Sequence, residues 1–424
     1  MPVGALGSSN RTQVRYKLEG EFPTNFGATM AAGNGTNLDV TGEALKTALS
    51  FTESKVLRSD RQVAGNTLTG VASDGMVNVE HRYAGLNPFI EGVIGDVFAV
   101  YGTLGVGTAI DVLTATSSTV LTATTAPTST SALTTLAAGQ WFRIVPPVAA
   151  TAAVKTYLRR RAFRVSPTVA PTATVLTLDA VTPFDVTQGG ASLALAKISS
   201  AKVSNGIRMW SYNMEVGHED IAAFRLYRGF IPSKLEWKIA DTGLITGSVG
   251  FVGKDMVDPL PTTTSMGTPN QAPAYESASA VRGVFDIIEN GVSISATTYI
   301  KSMDLMIDGS LRVQGAVGVL GAAWITTGTF KVGGTMEVYF ADPSLYNRVL
   351  ANTKTSISLP MMDDLGNGNI YHLARCTYTA VEVAASGQDQ DVMLKVTFSG
   401  TVDDTVGSPT YGKTVVVYRV GDAV

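Results

Sequence analysis

Hydrophobic and polar residues alternate with a period of two over several segments of the chain. In residues 234–239, apolar side chains alternate with lysine and glutamate, which is typical of a strand that buries one face and exposes the other. Residues 330–340 and 392–398 repeat the pattern. Glycine-containing turn signals occur at Asp308-Gly309, Asn290-Gly291 and residues 366–368. Since such turns favour hairpins, the sequence predicts a mainly antiparallel β fold.

Three short segments carry helix signals. Asn87-Pro88 and Asp342-Pro343 each combine a potential capping side chain with a proline, which is tolerated at the start of a helix because its missing N–H has no helical partner there. A third helix is predicted over residues 220–227, ended by Gly229. We expect these helices to cover sheet faces or rims.

Two parts of the chain are similar at constant spacing. A strand leading into a helix occurs near Gly75 and again near Gly334, an offset of 259 in the numbering (334 − 75). Residues 245–253 are similar to residues 392–400 at an offset of 147 (392 − 245), and Leu226 and Arg228 fall on Leu373 and Arg375 at that second offset. We interpret these matches as two copies of one β unit. The alternative is that two unrelated hairpin-rich segments look alike.

The first offset exceeds the second by 112 (259 − 147), so the first copy must contain an insertion between residues 94 and 226. Residues 105–200 are dominated by Ala, Thr, Val and Ser, and residues 141–145 and 173–178 are typical of strands. We therefore expect an inserted small β domain. The predicted domains are a first β unit at 1–104 plus 205–255, the insert at 105–204, a linker or arm at 256–285, and a second β unit at 286–424.

Composition excludes several classes of protein. The 424 residues contain 32 Lys and Arg against 35 Asp and Glu, a net charge of −3, which does not favour binding to nucleic acid by bulk charge. The single cysteine, Cys376, cannot form an intramolecular disulfide, so the simplest expectation is assembly in a cytoplasm. We find no pattern of a secretory signal or of a membrane span.

The search for catalytic chemistry finds no convincing constellation. His81, His218 and His372 lie far apart, and no Gly-x-Ser-x-Gly motif is present. The glycine-rich residues 247–254 lack the spacing of a phosphate-binding loop. Paired carboxylates occur at Asp363-Asp364, Asp389 with Asp391, and Asp403-Asp404, where we expect solvated turn acids rather than a glycosidase pair. We predict no enzyme activity, no metal site and no cofactor.

Three stretches, in this order, resemble the major tail tube proteins of bacteriophages with long, non-contractile tails. The first contains Ser59, Asp60, Arg61 and Gln62; the second runs from residue 219 to 256 and contains Gly247, Phe251 and Gly253; the third runs from residue 311 to 393 and contains Asp342 and Pro343. Together they cover most of the chain outside the insert, and we expect all of the named residues to be structural signatures of the family.

The resemblance implies a fold and a function. The fold would be mainly β, with tandem tail-tube β-sandwich or barrel domains, short flanking helices and the inserted domain. The protein would polymerise into stacked rings that form the conduit for DNA ejection, with a tape-measure protein and a tail terminator as partners. Three chains would form a ring of pseudo-six-fold symmetry if each chain carries two units, and six chains would be needed otherwise. The protein would be part of the virion tail, assembled in the bacterial host cytoplasm, without a membrane.

Two segments are candidate contacts between subunits. Residues 253–281, beginning with Lys254, Asp255, Met256 and Asp258, are either a mobile linker or an arm that orders against the adjacent ring. The basic cluster consists of Arg159, Arg160, Arg161 and Arg164, and we expect it on the outside or at a subunit contact. The lumen itself should be acidic or neutral, so that double-stranded DNA passes without adhering.

Two other functions compete with this one. The protein could be a surface-attached or glycan-binding β protein whose insert carries the recognition site. A β-sandwich glycosidase is the least supported alternative, since it requires two acids in a cleft.

Overall fold

The computed structural model of the chain describes residues 8–28, 30, 33–60, 62–100, 109–123, 133–284, 287–294, 299–341, 343–385 and 387–421. Strands dominate and the helices are short, which confirms the predicted mainly β fold. The helices are α1 (Asn87–Ile94), α2 (Ala152–Arg159), α3 (Val186–Gly189), α4 (Ala280–Gly283) and α5 (Ser344–Leu350), and a 3-10 turn spans Ser9–Arg11.

The strands fall into four groups along the chain. Before the insert lie β1 (Thr12–Glu21), β2 (Thr36–Leu38), β3 (Gly42–Glu43), β4 (Lys46–Glu53), β5 (Asn66–Glu80) and β6 (Ala99–Val100). The insert contains β7 (Ala109–Ser117), β8 (Val120–Ala123), β9 (Trp141–Val145), β10 (Phe163–Arg164), β11 (Val175–Thr177) and β12 (Ser192–Ser199). After it come β13 (Ala201–Ser204), β14 (Trp210–His218), β15 (Ala223–Ala240), β16 (Thr246–Gly253) and β17 (Asp255–Met256). The last group is β18 (Ile288–Glu289), β19 (Val292–Ser293), β20 (Ile300–Asp308), β21 (Arg312–Gln314), β22 (Trp324–Thr326), β23 (Lys331–Tyr339), β24 (Lys354–Met362), β25 (Gly368–Ala384), β26 (Met393–Thr401) and β27 (Val415–Val420).

One antiparallel sheet runs through the molecule. The edge strand formed by β3 and β4 pairs with β5, and the order continues through β16, β15, β20, β23 and β26 to β25. We call β3, β4, β5, β16 and β15 the first unit and β20, β23, β26 and β25 the second unit. The two units join where β15 pairs with β20, from Lys234 opposite Asp308 to Ala240 opposite Ser302.

One face of this sheet is packed into the core. Alternate residues such as Val77, Val249, Trp237 and Leu305 are buried in a single apolar cluster that extends through both units. Such alternation is what the two-residue period predicts. The sheet therefore has one apolar face and one polar face along its whole strand order.

Helix α1 fills the space between the sheet and a second layer. The first half of β15 pairs with β14, which pairs with β1. The Phe89 ring of α1 lies 5.2 Å from the Phe251 ring of β16 and 5.3 Å from the Tyr212 ring of β14. The helix thus connects the two layers through aromatic edge-to-face contacts.

Two of the predicted helices are present and the third prediction is wrong. Helix α1 begins at Asn87, but Leu86 occupies its cap position and no side chain caps it, and α5 follows Pro343 without a side-chain cap; Asp342 lies outside the described residues. Residues 220–227 instead form a turn and the start of β15, because pairing with β14 and burial of Phe224 and Leu226 favour a strand there. Asp308-Gly309 leads from β20 into β21 and not into a tight hairpin.

The insert is a small β barrel. Its strands pair in the order β10, β9, β12, β7, β8 and β11, and a bridge between Val165 and Leu178 joins the ends of that order. Leu113, Phe142 and Phe163 belong to its own apolar core. β13 follows the barrel directly and pairs with β27 and β6 outside it.

Candidate assembly interface

The two units repeat each other in pairing order and register. Gly75 lies opposite Phe251 in the β5–β16 pair, and Gly334 lies opposite Phe398 in the β23–β26 pair. The two glycines are offset by 259 (334 − 75) and the two phenylalanines by 147 (398 − 251), which are the offsets found in the sequence. The register of this strand pair is therefore the same in both units.

The following strands also correspond, down to their irregularities. A register shift falls between Pro232 and Lys234 where β15 meets β16, and the equivalent shift falls between Tyr378 and Ala380 where β25 meets β26. The offset on this strand is 146 (378 − 232), one less than on its neighbour. By the same comparison β3 and β4 correspond to β20 at an offset of 260 (306 − 46), since Lys46 pairs with Asp74 and Met306 pairs with Gly333.

At the junction, β15 and β20 are paired with each other, but among the described residues the strands at the two outer ends of the sheet have no partner on their outer side. Within the described residues, β3 and β4 pair only with β5. In the same part of the chain, residues 378–384 of β25 pair only with β26, on one side. Each outer strand therefore carries a free row of backbone N–H and C=O groups, which proteins normally cover.

Burial shows the same asymmetry. Trp237 is fully buried beside the β15–β20 junction, whereas Val383, its counterpart on β25, is 43% exposed. Ile307 on β20 is fully buried, whereas its counterpart Thr47 on β4 is only half-buried. Each outer strand therefore exposes side chains whose counterparts are buried at the β15–β20 junction.

The polar face of the sheet carries mixed charge. Apart from the β4–β5 hairpin tip, the charged residues at paired positions of this face are Asp74, Glu80, Glu236, Asp304, Asp308, Glu337 and Glu382, with Lys46, Lys234, Lys238, Lys331, Lys395 and Arg375. Seven acids against five lysines and one arginine give a net charge of −1. A groove of about 660 Å³ follows this face from β15 across the strands of the second unit.

The signature residues near the N-terminus lie in the long β4–β5 hairpin. Arg58 donates to the Asp60 carboxylate from Nε at 2.9 Å and from Nη2 at 2.6 Å, and the Gln62 N–H reaches the same carboxylate at 3.3 Å. The Arg58 guanidinium lowers the pKa of Asp60. Ser59 is exposed on the same loop, and Arg61 lies outside the described residues.

The signature residues of β16 have packing roles. A Cβ atom on Gly247 would lie 2.4 Å from the Trp237 ring, and one on Gly253 would lie 2.3 Å from the Phe230 ring. Phe251 is buried against Phe89. The two glycines thus let large aromatic side chains lie flat on the strand.

The candidate arm residues are engaged within the chain. Asp255 accepts from Arg228 in two contacts of 2.8 Å, Lys254 lies over the Phe26 ring at 5.6 Å, and Met256 pairs with β15. Asp258 is exposed. Further along, Thr264 and Ser265 donate to Glu215 of β14 at 2.6 and 2.7 Å. This segment is docked on its own first unit.

The basic cluster lies on the insert and is only partly exposed. Arg164 pairs with Asp179 at 3.3 Å, and Arg161 lies 5.1 Å from the Tyr157 ring centre. Arg160 is exposed and Arg159 is half-buried. Arg164 is already paired within the chain, so fewer arginines of the cluster are available for a contact with another subunit than the sequence indicated.

Arg143 is a residue whose role sequence reasoning missed. It is buried on β9 of the insert and donates to the Asn367 side chain at 3.1 Å and to the Leu365 carbonyl at 2.5 Å. Both partners lie in the turn between β24 and β25. No local motif signals this contact, because Arg143 and its partners are remote from each other in the chain.

Several titratable side chains among the described residues are buried and have a packing role. Burial lowers the pKa of His81 to about 4 and that of His372 to about 3, and it raises the pKa of the Cys376 thiol to about 12. Asp363 and Asp403 are buried and accept several hydrogen bonds within their turns, so the expectation that they are solvated is wrong. Among the described residues, no group of three or more His, Cys, Asp or Glu side chains could hold a metal.

Comparison with known families decides the class of this protein. A family model described as phage tail tube protein matches residues 9–401 of the 424. The chain belongs to the phage tail tube protein family. No curated protein matches it. The tail tube protein is therefore a structural component of the virion tail that self-assembles into a tube, and its family is a structural one rather than a family of enzymes. None of the helices in the described residues is long and apolar enough to cross a membrane.

Proposed function

We propose that three copies of this tail tube protein close into one ring, and that stacked rings form the DNA conduit of a long, non-contractile tail. One observation carries the proposal: the two strands that meet inside the chain, β15 and β20, have counterparts with free edges at the two ends of the sheet. Joining β25 of one copy to β4 of the next repeats the internal junction.

The internal junction also gives the register of the proposed contact. Lys234 lies opposite Asp308 inside the chain. Applying the strand offsets given above places Ala380 (234 + 146) opposite Ala48 (308 − 260) of the next copy, and Glu382 opposite Lys46. The polar face would then carry an unbroken row of alternating charge, from Asp74 and Lys46 of one copy to Glu382, Lys395 and Glu337 of the other.

Pseudo-equivalence supports a ring of three chains. Each chain supplies two units that pair in the same order, which supports the division into two tube domains, and a cyclic ring repeats one contact until it closes. Three chains supply six units and close the sheets into one barrel without edges. Six chains would be required only if the two units were not equivalent.

The polar face is the proposed lumen. Its net charge of −1 per chain, with basic residues interspersed among the acids, repels phosphate weakly and offers no continuous basic track. Double-stranded DNA would pass without adhering. A tape-measure protein, a tail terminator and assembly in the host cytoplasm complete the proposal. The Arg159–Arg161 side chains would face outward or a neighbouring subunit, and the docked 254–279 segment would contact the adjacent ring from its place on the first unit.

A pair of cysteines tests the ring. Ala48→Cys with Ala380→Cys should form a disulfide between copies, because residues directly opposite in an antiparallel pair have Cα atoms about 4.5–5.5 Å apart. Non-reducing electrophoresis should show covalent species that stop at three chains. Cys376 is buried and its thiol pKa is raised to about 12, so it should not interfere.

The matched control is Ala48→Cys with Ala384→Cys, four positions or about 13 Å out of register. A ladder that continues to six chains would contradict the three-chain ring. Cross-linking that is no better than in the control would contradict the edge contact, and a persistent monomer by electron microscopy would favour a discrete surface-binding protein.

A further inference from the structure

The β21–β22 hairpin of the second unit covers part of the first unit. Its Ile325 and Ala322 are buried in a cluster with Ile231 of β15, and Leu311 packs against the same cluster. The Trp324 ring lies 4.7 Å from the Phe22 ring. The Ala322 N–H donates to the Lys254 carbonyl at 3.4 Å, and the Val71 N–H donates to the Leu320 carbonyl at 3.0 Å. The hairpin therefore acts as a clamp across the β15–β20 junction.

The β4–β5 hairpin is the counterpart of this clamp in the first unit. Val313 pairs with Ile325 in the β21–β22 hairpin, and Glu53 pairs with Asn66 in the β4–β5 hairpin. Val313 and Glu53 are offset by 260 (313 − 53), and Ile325 and Asn66 by 259 (325 − 66). These are the offsets already found for the strands that lead into the two hairpins. Phe51 thereby corresponds to Leu311. Unlike the half-buried Leu311, Phe51 is 56% exposed, and Leu57 at the tip is almost fully exposed. The β4–β5 hairpin extends from the body without a surface to cover.

The surface that would be its partner is open in the second unit. The strip beneath the β21–β22 hairpin consists of Ile231, Val252, Lys254 and Asp255. Their counterparts in the second unit are, in the same order, Thr377, Ser399, Thr401 and Val402. Thr377 is half-buried and the other three are exposed. We call these four residues the open strip. It lies directly beside the free edge of β25, on the same polar face.

We infer that the β4–β5 hairpin of one copy clamps the open strip of the next copy in the same ring, with Phe51 as its main apolar contact. The inference rests on the proposed ring and adds a second, side-chain-mediated contact to it. The methyl groups of Thr377, Thr401 and Val402 offer Phe51 an apolar surface, and the backbone of the hairpin loop would repeat the bonds that Leu320 and Ala322 make within the chain.

Photo-cross-linking locates the partner of this hairpin. A benzophenone side chain at position 51 is close in shape to phenylalanine, and in assembled protein it should label the peptides that contain residues 377–378 or 399–402 of another copy. The same probe at Ile207, an exposed apolar residue between β13 and β14, is the control and should not label the open strip. Labelling of any other surface from position 51, including the 254–279 segment, would overturn the clamp.

A substitution measures its contribution. Phe51→Asp should raise the protein concentration needed for assembly by about ten-fold, whereas Ile207→Asp should leave it unchanged. Circular dichroism of the unassembled chain should be unaltered, since Phe51 is exposed there. If Ala48→Cys with Ala380→Cys cross-links normally while Phe51→Asp assembles like the parent protein, the clamp is wrong and the ring stands. If the variant with Ala48→Cys and Ala380→Cys does not cross-link and Phe51→Asp does not assemble, the ring proposal itself fails.

Discussion

Gly334 lies directly opposite Phe398 in the antiparallel pair of β23 and β26. A Cβ atom at position 334 would lie 1.9 Å from the Asp304 carbonyl oxygen and 2.7 Å from the Phe398 ring. Gly75 lies opposite Phe251 in the same way, and a Cβ there would lie 2.3 Å from the Ala44 carbonyl oxygen. In both units the glycine lets the neighbouring strand approach closely while a phenylalanine fills the core.

Gly334→Ala should therefore destabilise the chain by roughly 2–4 kcal/mol, because the carbonyl belongs to a paired strand that cannot move aside freely. Urea unfolding of the unassembled chain measures the change. Gly85→Ala is the matched control, since a Cβ there meets no atom within 4 Å. Equal stability of the two variants would contradict this account of the β20–β23 contact.

Stability should fall as pH drops below neutrality, in part because of His81. Its ring is fully buried beside the Trp237 ring at 4.9 Å, and burial lowers its pKa to about 4. An unfolded histidine has a pKa of about 6.5, so only the unfolded chain gains the proton between those values. This contribution, about 3 kcal/mol in full, is present above pH 6.5 and is lost progressively towards pH 4.

His81→Phe should flatten this dependence. Both ring nitrogens of His81 lack a hydrogen-bond partner among the described residues, so phenylalanine should fit without loss of a bond. Urea unfolding at pH 7.5 and 5 should show a smaller difference for His81→Phe than for the parent protein. His218→Phe, at a half-buried histidine, is the comparison, and an unchanged pH difference in His81→Phe would count against the assignment.

Glu382 should contribute to ring assembly through charge. Lysine at this position would stand beside Lys395 within the chain and opposite Lys46 of the next copy in the proposed register. Glu382→Lys should weaken assembly at low salt by roughly 0.2–1 kcal/mol at each contact, and high salt should reduce the effect. Light scattering against protein concentration measures it. Asp241→Lys makes the same charge change in the exposed turn between β15 and β16 and should assemble like the parent protein, whereas equal weakening in both would point to net charge alone.

Arg143 should hold the insert against the second unit. Arg143→Met removes its donors to Asn367 and Leu365, and the loss of these hydrogen bonds from a charged group should cost about 1–3 kcal/mol. Hydrogen exchange should become faster at residues 363–368, while the apolar core of the insert stays protected. Arg160→Met, at an exposed arginine, should leave exchange at that turn unchanged. Unaltered exchange in Arg143→Met would mean that other contacts suffice.

Local sequence patterns predicted much of this fold, but they could not predict contacts between residues that are remote in the sequence. Alternation over residues 234–239 predicted a strand of the sheet, and the two sequence offsets match the register of Gly75 with Phe251 and of Gly334 with Phe398. The helix predicted at 220–227 failed because neighbours in the sheet outweighed local propensity. The β15–β20 junction was not foreseen, since nothing in a strand's own sequence specifies which edge it meets.

The insert leaves and re-enters the body at neighbouring positions. Ala201 of β13 pairs with Val100 of β6, on either side of the barrel. The body therefore needs only a short bridge at this point, and the barrel has a core of its own besides the side chains, such as Trp141 and Arg143, that it packs against the body. Replacing it with another folded module should change what each subunit displays without changing how subunits join, which makes this site a natural attachment point for engineered nanotubes.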